Sequence, residues 1–368
     1  MKRFDVAVRG DGIVARALAL ALSRQGLAVA LPMAEDSPLL GDIRAYALNH
    51  AAVALLAELK VWDALPADAR TPVYDMHIEG DVPGAALDFT AWQQRVGELT
   101  WIVDAGSLQA QLGHAVRYAP HVSVTADEVE ADLLALAEGR ASATRERLGV
   151  RFELRDYGQQ GVAARLVSDR AHQGIARQWF RSPDVLALLP FDRPEPARSY
   201  ALVWSLPAAR AQEMLALDAA SFEQALADAT GGAAGTLSLA SERRAWPLAL
   251  ARAEPMCGPG WVLLGDAAHL VHPLAGQGLN LGLADVAALA RVIASREPWR
   301  GLGDEKLLRR YVRERAWPTL AMGGVTDGLL RLFAAEQPLL RELRNRGLTL
   351  VNHAAPLKRW LAAQALRS

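Results

Sequence analysis

One cysteine, Cys257, occurs in a chain of 368 residues. Its isolation excludes an internal disulfide and any cysteine-ligated metal cluster, and such sparing use fits a reducing compartment. The thiol reads as a buried bystander. No uncharged apolar run reaches the roughly 18–20 residues that a membrane-spanning helix needs, so any membrane contact is expected to be peripheral. Asp5, Arg9, Asp11 and Arg16 interrupt the apolar middle of residues 1–22. A secretory h-region does not tolerate that, and the start reads as that of a cytoplasmic protein. Charge of one sign is missing too: 40 Lys and Arg stand against 41 Asp and Glu, leaving no global field for nucleic acid. Internal repeats and low-complexity linkers are also lacking. What is present is 51% hydrophobic residues in a chain long enough for two domains, or for one large α/β domain with insertions.

Phe4–Val8 reads as a buried strand, Ile13–Gln25 as a helix and Leu27–Leu31 as a second strand. Asp42–Leu65 carries apolar residues at helical spacing. Val73–Ile78, Ala86–Phe89, Val162–Val167, Arg177–Arg181 and Ser199–Ser205 alternate, predicting an antiparallel sheet in the middle of the chain. Ala/Leu-rich stretches near 131–137 and 214–235 read as helices. A further strand, Trp261–Leu264, precedes a glycine-rich loop and another long helix. The layout predicts an α/β protein, α+β overall: a Rossmann-like nucleotide domain at both ends of the chain, interrupted by a β-rich substrate domain. The expected division is 1–72, 96–155 and 250–325 for the first, 73–95 and 156–249 for the second, and a helical segment over 326–368.

The stretch VAVRGDGIVARALALALSRQGLAVALPM, Val6 to Met33, has the layout of a dinucleotide-binding βαβ unit. Gly10 and Gly12 supply the tight turn and the close backbone approach to a pyrophosphate, and Ala15 stands at the third glycine position at the cost of a methyl. The helix start offers free N–H groups and a positive dipole end to phosphate. Two residues oppose this reading. Asp11 places a negative charge in a loop meant for an anion, and Met33 stands where a carboxylate would bind ribose hydroxyls, with Glu35 and Asp36 close behind. Taken alone, the stretch is equally readable as a plain strand–turn–helix.

The second glycine-rich stretch, GWVLLGDAAHLVHPLAGQGLNLGLADVAAL from Gly260 to Leu289, is more specific. Asp266 after Gly265 offers a carboxylate to a ribityl or ribose hydroxyl. Gly276, Gln277, Gly278, Leu279 and Asn280 let backbone approach a flat ring, and the helix that follows aims its dipole there. The pattern of Gly265, Asp266, Ala267, Ala268, His269, Pro273, Gly276, Gln277, Gly278, Asn280, Gly282 and Asp285 resembles the FAD motif of the group A flavoprotein monooxygenases, the para-hydroxybenzoate hydroxylase-like family. Further likenesses point to its ubiquinone-biosynthesis hydroxylase branch: Asp42–Leu48, Tyr157–Gln159, His172–Phe180, Leu186–Pro190, Leu202–Pro207, Pro247–Leu248 and segments of 332–358.

The resemblance implies FAD as cofactor, with NAD(P)H or another reductant and O2, and hydroxylation of an aromatic ring through a flavin C4a-hydroperoxide. The implied substrate is a small aromatic molecule, and in that branch a polyprenyl phenol. It implies a flavin contact for Arg44, whose plain alternative is a solvated helix-start residue. It places Pro273 and Gly276 beside the reactive flavin edge. His269 and His272 invite a general-base role, with loop bracing as the plainer reading for His269. His172, Gln178 and Phe180 read as pocket-lining strand residues, or as an ordinary alternating strand; Tyr157, Trp204 and Trp246 read as core. No metal site is expected. The basic amphipathic stretch 331–368 fits either an anionic membrane surface at the inner face or helices packed on the body, and homo-oligomers or a biosynthetic complex stay open.

Departures from the family, taken together with Arg9, Asp11 and Met33, fall mainly on the adenosine–pyrophosphate side. A-D-G-x-x-S-x-x-R appears as Ala137–Arg145 with Glu138 in place of the aspartate, the interval from Val124 to Ala137 is short, and V-E-N-R appears as Val103-Asp104-Ala105-Gly106. Weak FAD binding is the expectation. The alternatives are a flavin monooxygenase of secondary metabolism and a non-catalytic accessory subunit of a quinone-biosynthesis complex; a halogenase W-x-W-x-I-P signature is absent.

Overall fold

The computed structural model describes residues 3–33, 42–81, 85–125, 127, 129–271 and 277–316. The expectations for Glu35, Asp36, His272, Pro273, Gly276 and the stretch 331–368 lie outside these residues.

Three sheets form the frame. The first has six strands in the order Cys257–Gly258, Trp261–Leu263, Glu130–Leu136, Arg3–Arg9, Val29–Leu31 and Val122–Val124. All pair in parallel except the hairpin Cys257–Gly258. Its core joins Val6, Val8, Val29, Leu31 and Leu133 to the helices Ile13–Ser23, Ala105–Arg117 and Gln277–Ala294. Gly282 lets two of these helices approach, since a Cβ there would stand 2.7 Å from Val14 Cγ2. Cys257 is buried, and burial pushes its thiol up to about 11.

The stretch 131–137 is the correction here. Expected as a helix, it forms the strand Glu130–Leu136 beside Arg3–Arg9. Ala and Leu favour helices locally, but an inner parallel strand is buried on both faces and shows no alternation. The start of Asp42–Leu65 is corrected likewise. Ala45–Leu48 is a strand paired antiparallel with Thr100–Asp104, which also pairs with Arg70–Val73 to complete a three-stranded sheet. Helix begins only at His50, capped by the Asn49 side chain.

The third sheet has nine strands. Its order runs His269–Leu270, Arg244–Glu254, Arg151–Ser168, Ser199–Pro207, Asp184–Phe191, Ile175–Arg181, Asp75–Glu79 and Ala86–Thr90, with Leu237–Leu239 added on Arg151–Ser168. Arg151–Ser168 and Arg244–Glu254 run through positions 155/156 and 249/250, where the expected division has its limits. One face, carrying Val162, Leu166, Trp179, Leu188, Tyr200 and Trp204, is sealed by Phe222 and Leu226 of the helix Ala219–Thr230. The other face meets the three-stranded sheet, where Ala176 and Phe191 pack with Ala47, Val73 and Ile102. Trp204 is core, whereas Trp246 is 37% exposed and departs from the core role expected of it.

Asp184 is buried with Oδ2 3.2 Å from Arg210, and burial pushes its carboxyl up to about 6 despite that cation. A raised folded-state value favours the protonated form, so this group's contribution is present below the unfolded value and lost as pH rises through about 6. Asp184→Asn is therefore expected to raise stability at pH 7 to 8 by about 1–3 kcal/mol, with the gain vanishing near pH 4. Urea unfolding across that range measures it.

Candidate functional site

The loop after Arg3–Arg9 uses its two glycines for different reasons. Gly10 has φ +116°, and a Cβ there would stand 2.2 Å from the Ala137 carbonyl oxygen. The protein's own backbone demands this glycine. Around Gly12, at the helix N-cap, a Cβ would meet nothing within 4 Å, and no side chain caps the helix. The helices that begin at His50, Ala105, Ala143 and Ala219 are each capped by a side chain. Uncapped N–H groups beside open space are what an incoming phosphate needs. Ala15 is fully buried against the sheet.

Asp11 is not a bare charge. Arg16, itself 4% exposed, donates from Nε to Asp11 Oδ1 at 2.9 Å, and Nη2 lies 2.8 Å from the same oxygen. Arg16 also donates to the Gln109 carbonyl at 2.8 Å. The opposition between Asp11 and a phosphate is thus largely cancelled within the loop. Met33 packs on the core of the six-stranded sheet.

The second glycine-rich loop is held from beneath by one carboxylate. Asp285 is fully buried; Oδ2 accepts from the Gly265 N–H at 2.9 Å and contacts His269 Nε2 at 2.7 Å, and Oδ1 accepts from Arg315 Nε at 2.7 Å. Burial alone would raise its carboxyl, but His269 and Arg315 outweigh that and hold it below the usual range. The bracing turns Gly265 to φ +56°. Asp266 then projects into a recess, solvent-accessible but walled, where burial raises its carboxyl against the pull of His269 and Arg44.

The helix Gln277–Ala294 begins at the same place. A Cβ on Gly278 would meet nothing within 4 Å, and Leu279 packs on the core. Asn280 is buried and joins two segments: Nδ2 donates to the Ala47 carbonyl at 2.8 Å and Oδ1 accepts from the Asn49 N–H at 3.1 Å. The strand Ala45–Leu48 is thereby fixed against the helix start. Arg44, just before it, is 45% exposed at its side chain and clamped by Asp42, with Nη2 to Oδ2 at 2.7 Å. That hydrogen bond holds its guanidinium above the usual range, with a further pull from Asp266. Arg44 therefore precedes a strand, and not a helix as expected.

The pocket candidates do not converge. Gln178 lies in a cross-strand row with Ala163, Val203 and Ala187, on the face turned to the three-stranded sheet. Ala187 and Val203 are partly exposed although they sit on inner strands. Phe180 lies on the same face, packed with Val185 and Ile78. His172, expected on a strand, is in the turn before Ile175–Arg181. Its Nδ1 accepts from the Gly174 N–H at 3.0 Å, its ring meets Tyr200 edge-on, and burial holds it below the usual imidazole range. It packs with the opposite face.

Sequence reasoning missed Arg165. It lies buried in the apolar strand Arg151–Ser168, reaching Asp104 Oδ2 at 3.0 Å and the Arg44 carbonyl at 2.8 Å, and burial pushes it down to about 10. A lone charge within the alternating GVAARLV was the available signal. Glu138, one methylene longer than the family's aspartate, is satisfied locally by Ser142 Oγ and by the Thr144 N–H and Oγ1.

Residues 105–321 match the family described as FAD binding domain. The chain belongs to that family. It is 30% identical over 98% of its length to ubiquinone hydroxylase UbiL of Rhodospirillum rubrum, covering 89% of that protein. It is 29% identical to 3-demethoxyubiquinol 3-hydroxylase of Escherichia coli, over 98% of each chain. The fold is that of p-nitrophenol 4-monooxygenase PnpA from Pseudomonas putida, with a TM-score of 0.78 over 100% of this chain and 99% of that one at 17% identity. The expected fold class and kinship hold: the chain is an FAD-binding family member homologous to the ubiquinone hydroxylases.

Asp285→Asn is expected to cost about 3–5 kcal/mol, because it leaves Arg315 buried without its counter-charge. Urea unfolding at pH 7 measures the loss. Because the folded carboxyl is held below the unfolded value, the wild-type contribution is lost as pH falls through that depressed value, so the difference between the two proteins narrows in acid.

Proposed function

We propose that the chain is an FAD-dependent hydroxylase of an aromatic ring, taking electrons from NAD(P)H and oxygen from O2, and acting on a phenolic intermediate of ubiquinone biosynthesis. The observation that carries this reading is the Asp285-braced loop. It brings Asp266, the Gln277–Gly278 helix start and the Arg44 segment around one recess, in a chain homologous to ubiquinone hydroxylases throughout.

The residues present fit the cofactor. Gly10 and Gly12 shape the loop, and the uncapped start of Ile13–Ser23 receives the pyrophosphate. Ala15 allows helix and sheet to approach. Asp266 would accept from a ribityl hydroxyl, and Arg44 and the N–H groups of Gln277, Gly278 and Leu279 would hold the flavin ring, with Asn280 fixing the Ala45–Leu48 strand beside the helix start. Bound FAD supplies the activation of dioxygen. The protein's part is to exclude water and to place the ring carbon. The row Ala163, Val203 and Ala187 with Gln178 and Phe180 forms the wall for the aromatic ring. His172 stays outside that wall, with a structural role. Within this reading the six-stranded sheet is the cofactor half and the nine-stranded sheet the substrate half.

Affinity for FAD is set low by Met33. A missing ribose carboxylate removes charge-assisted hydrogen bonds of roughly 1.5–3 kcal/mol, or about one to two orders of magnitude in affinity. Met33→Glu is expected to tighten FAD binding about tenfold in a flavin fluorescence titration, and a tightly held stoichiometric FAD in the wild-type protein contradicts the weak-binding reading. For the reaction itself, deletion of the gene is expected to accumulate a quinone precursor lacking one hydroxyl group. Unchanged quinone pools overturn the assignment.

A further inference from the structure

Arg165 occupies a position where a charge is a poor stabiliser. It lies on the face of the nine-stranded sheet turned toward the three-stranded sheet, cross-strand from Ala201, with 7% of its surface exposed. Its guanidinium carbon stands 3.9 Å from the centre of the Phe191 ring. Taking a guanidinium out of water costs several kcal/mol, and an apolar side chain of similar volume often serves stability as well. What such a charge adds is a fixed geometry.

That geometry is specific. One nitrogen, Nη2, makes both polar contacts: 2.8 Å to the Arg44 carbonyl oxygen and 3.0 Å to Asp104 Oδ2. Nη1 is buried with no hydrogen-bond partner among the described residues. The charged groups facing Arg165 are Asp104 and Asp42, which favour its charge, and Arg193, which opposes it. Asp104 is fixed in turn, because Oδ1 caps the helix Ala105–Arg117 at the Ser107 N–H at 2.8 Å and Arg193 Nη1 lies 3.8 Å away. A second tie holds the same segment, since the Ala105 N–H donates to the Arg44 carbonyl at 3.2 Å. The Arg44 carbonyl is thus gripped from both the substrate sheet and the cofactor half, while Asp42 orients its side chain.

We infer that Arg165 is a positioning residue for Arg44, reaching from the substrate sheet to hold the backbone of the segment that presents the Arg44 guanidinium to FAD; this rests on the reading that Arg44 contacts FAD. Arg165 touches neither cofactor nor substrate in this role. It acts through Arg44.

A double-mutant cycle on FAD affinity tests it, read by flavin fluorescence quenching in the full-length protein. Arg165→Met is expected to weaken FAD binding about fivefold to tenfold and to shift the visible spectrum of the bound flavin. Arg165→Lys is expected to recover affinity to within about twofold of wild type, because a single nitrogen made both contacts. In an Arg44→Met background, Arg165→Met is expected to add less than about twofold, since the two residues act as one unit. Equal losses in both backgrounds, or a lysine variant no better than methionine, overturn the inference. Should Arg165→Met not fold, Arg165→Gln, which keeps a donor without the charge, enters the same cycle. A wild-type chain that binds no FAD overturns the cofactor reading and this inference together, and the wild-type titration shows that before any variant is made.

Discussion

The buried carboxylate of Asp285 is the interaction on which the second glycine-rich loop depends. It draws three separate segments to one point: the Gly265 turn, His269 at the edge of the nine-stranded sheet, and Arg315 in the helical residues 305–316. A carboxylate removed from water is tolerated only where its oxygens are met by donors, and here each is met by at least one charged or ring donor. Once Asp285 is so held, Gly265 takes its left-handed turn and Asp266 is delivered to the recess. The family motif is therefore partly a bracing motif, with Asp285, His269 and Gly282 serving the geometry of the residues between them.

Around this point the halves are joined by polar ties and not by apolar packing alone. Asn280 sews the Ala45–Leu48 strand to the long helix, and Arg165 sews the loop before that strand to the nine-stranded sheet. The strand His269–Leu270 pairs with Arg244–Glu254, so the loop that carries Asp266 is continuous with the nine-stranded sheet. Directional contacts at such a junction fix distances that interchangeable apolar contacts leave loose. The apolar work is done elsewhere, on the helix-covered faces of both large sheets.

Much of this was legible in the residues. Strand, glycine-rich turn and helix at both ends of the chain named the architecture, because turn glycines and apolar periodicity are local signals. The likeness of Gly265–Asp285 to a known FAD motif pointed to the family. Local signals failed where burial decided. Glu130–Leu136 reads as a helix because an inner parallel strand has no polar face, and Ala45–Leu48 because its Ala and Leu residues suit either structure until Thr100–Asp104 pairs with it. His172 read as a pocket residue by its place in a strand pattern, but the chain turns there and packs it with Tyr200.

The sequence by itself determined the strand–turn–helix units at both ends of the chain and the motif that the second of them carries, since these follow from residue type and order along the chain. Tertiary structure alone decided the electrostatics. Asp11 looked like a charge opposed to phosphate until Arg16, five residues on and buried, was found to cancel it. Arg165 looked like one arginine in a strand until Asp104 and the Arg44 carbonyl, far away in sequence, were found around it. Whether a charge is bare or paired depends on distances of a few ångströms between segments separated in the chain, and only the folded arrangement sets those distances.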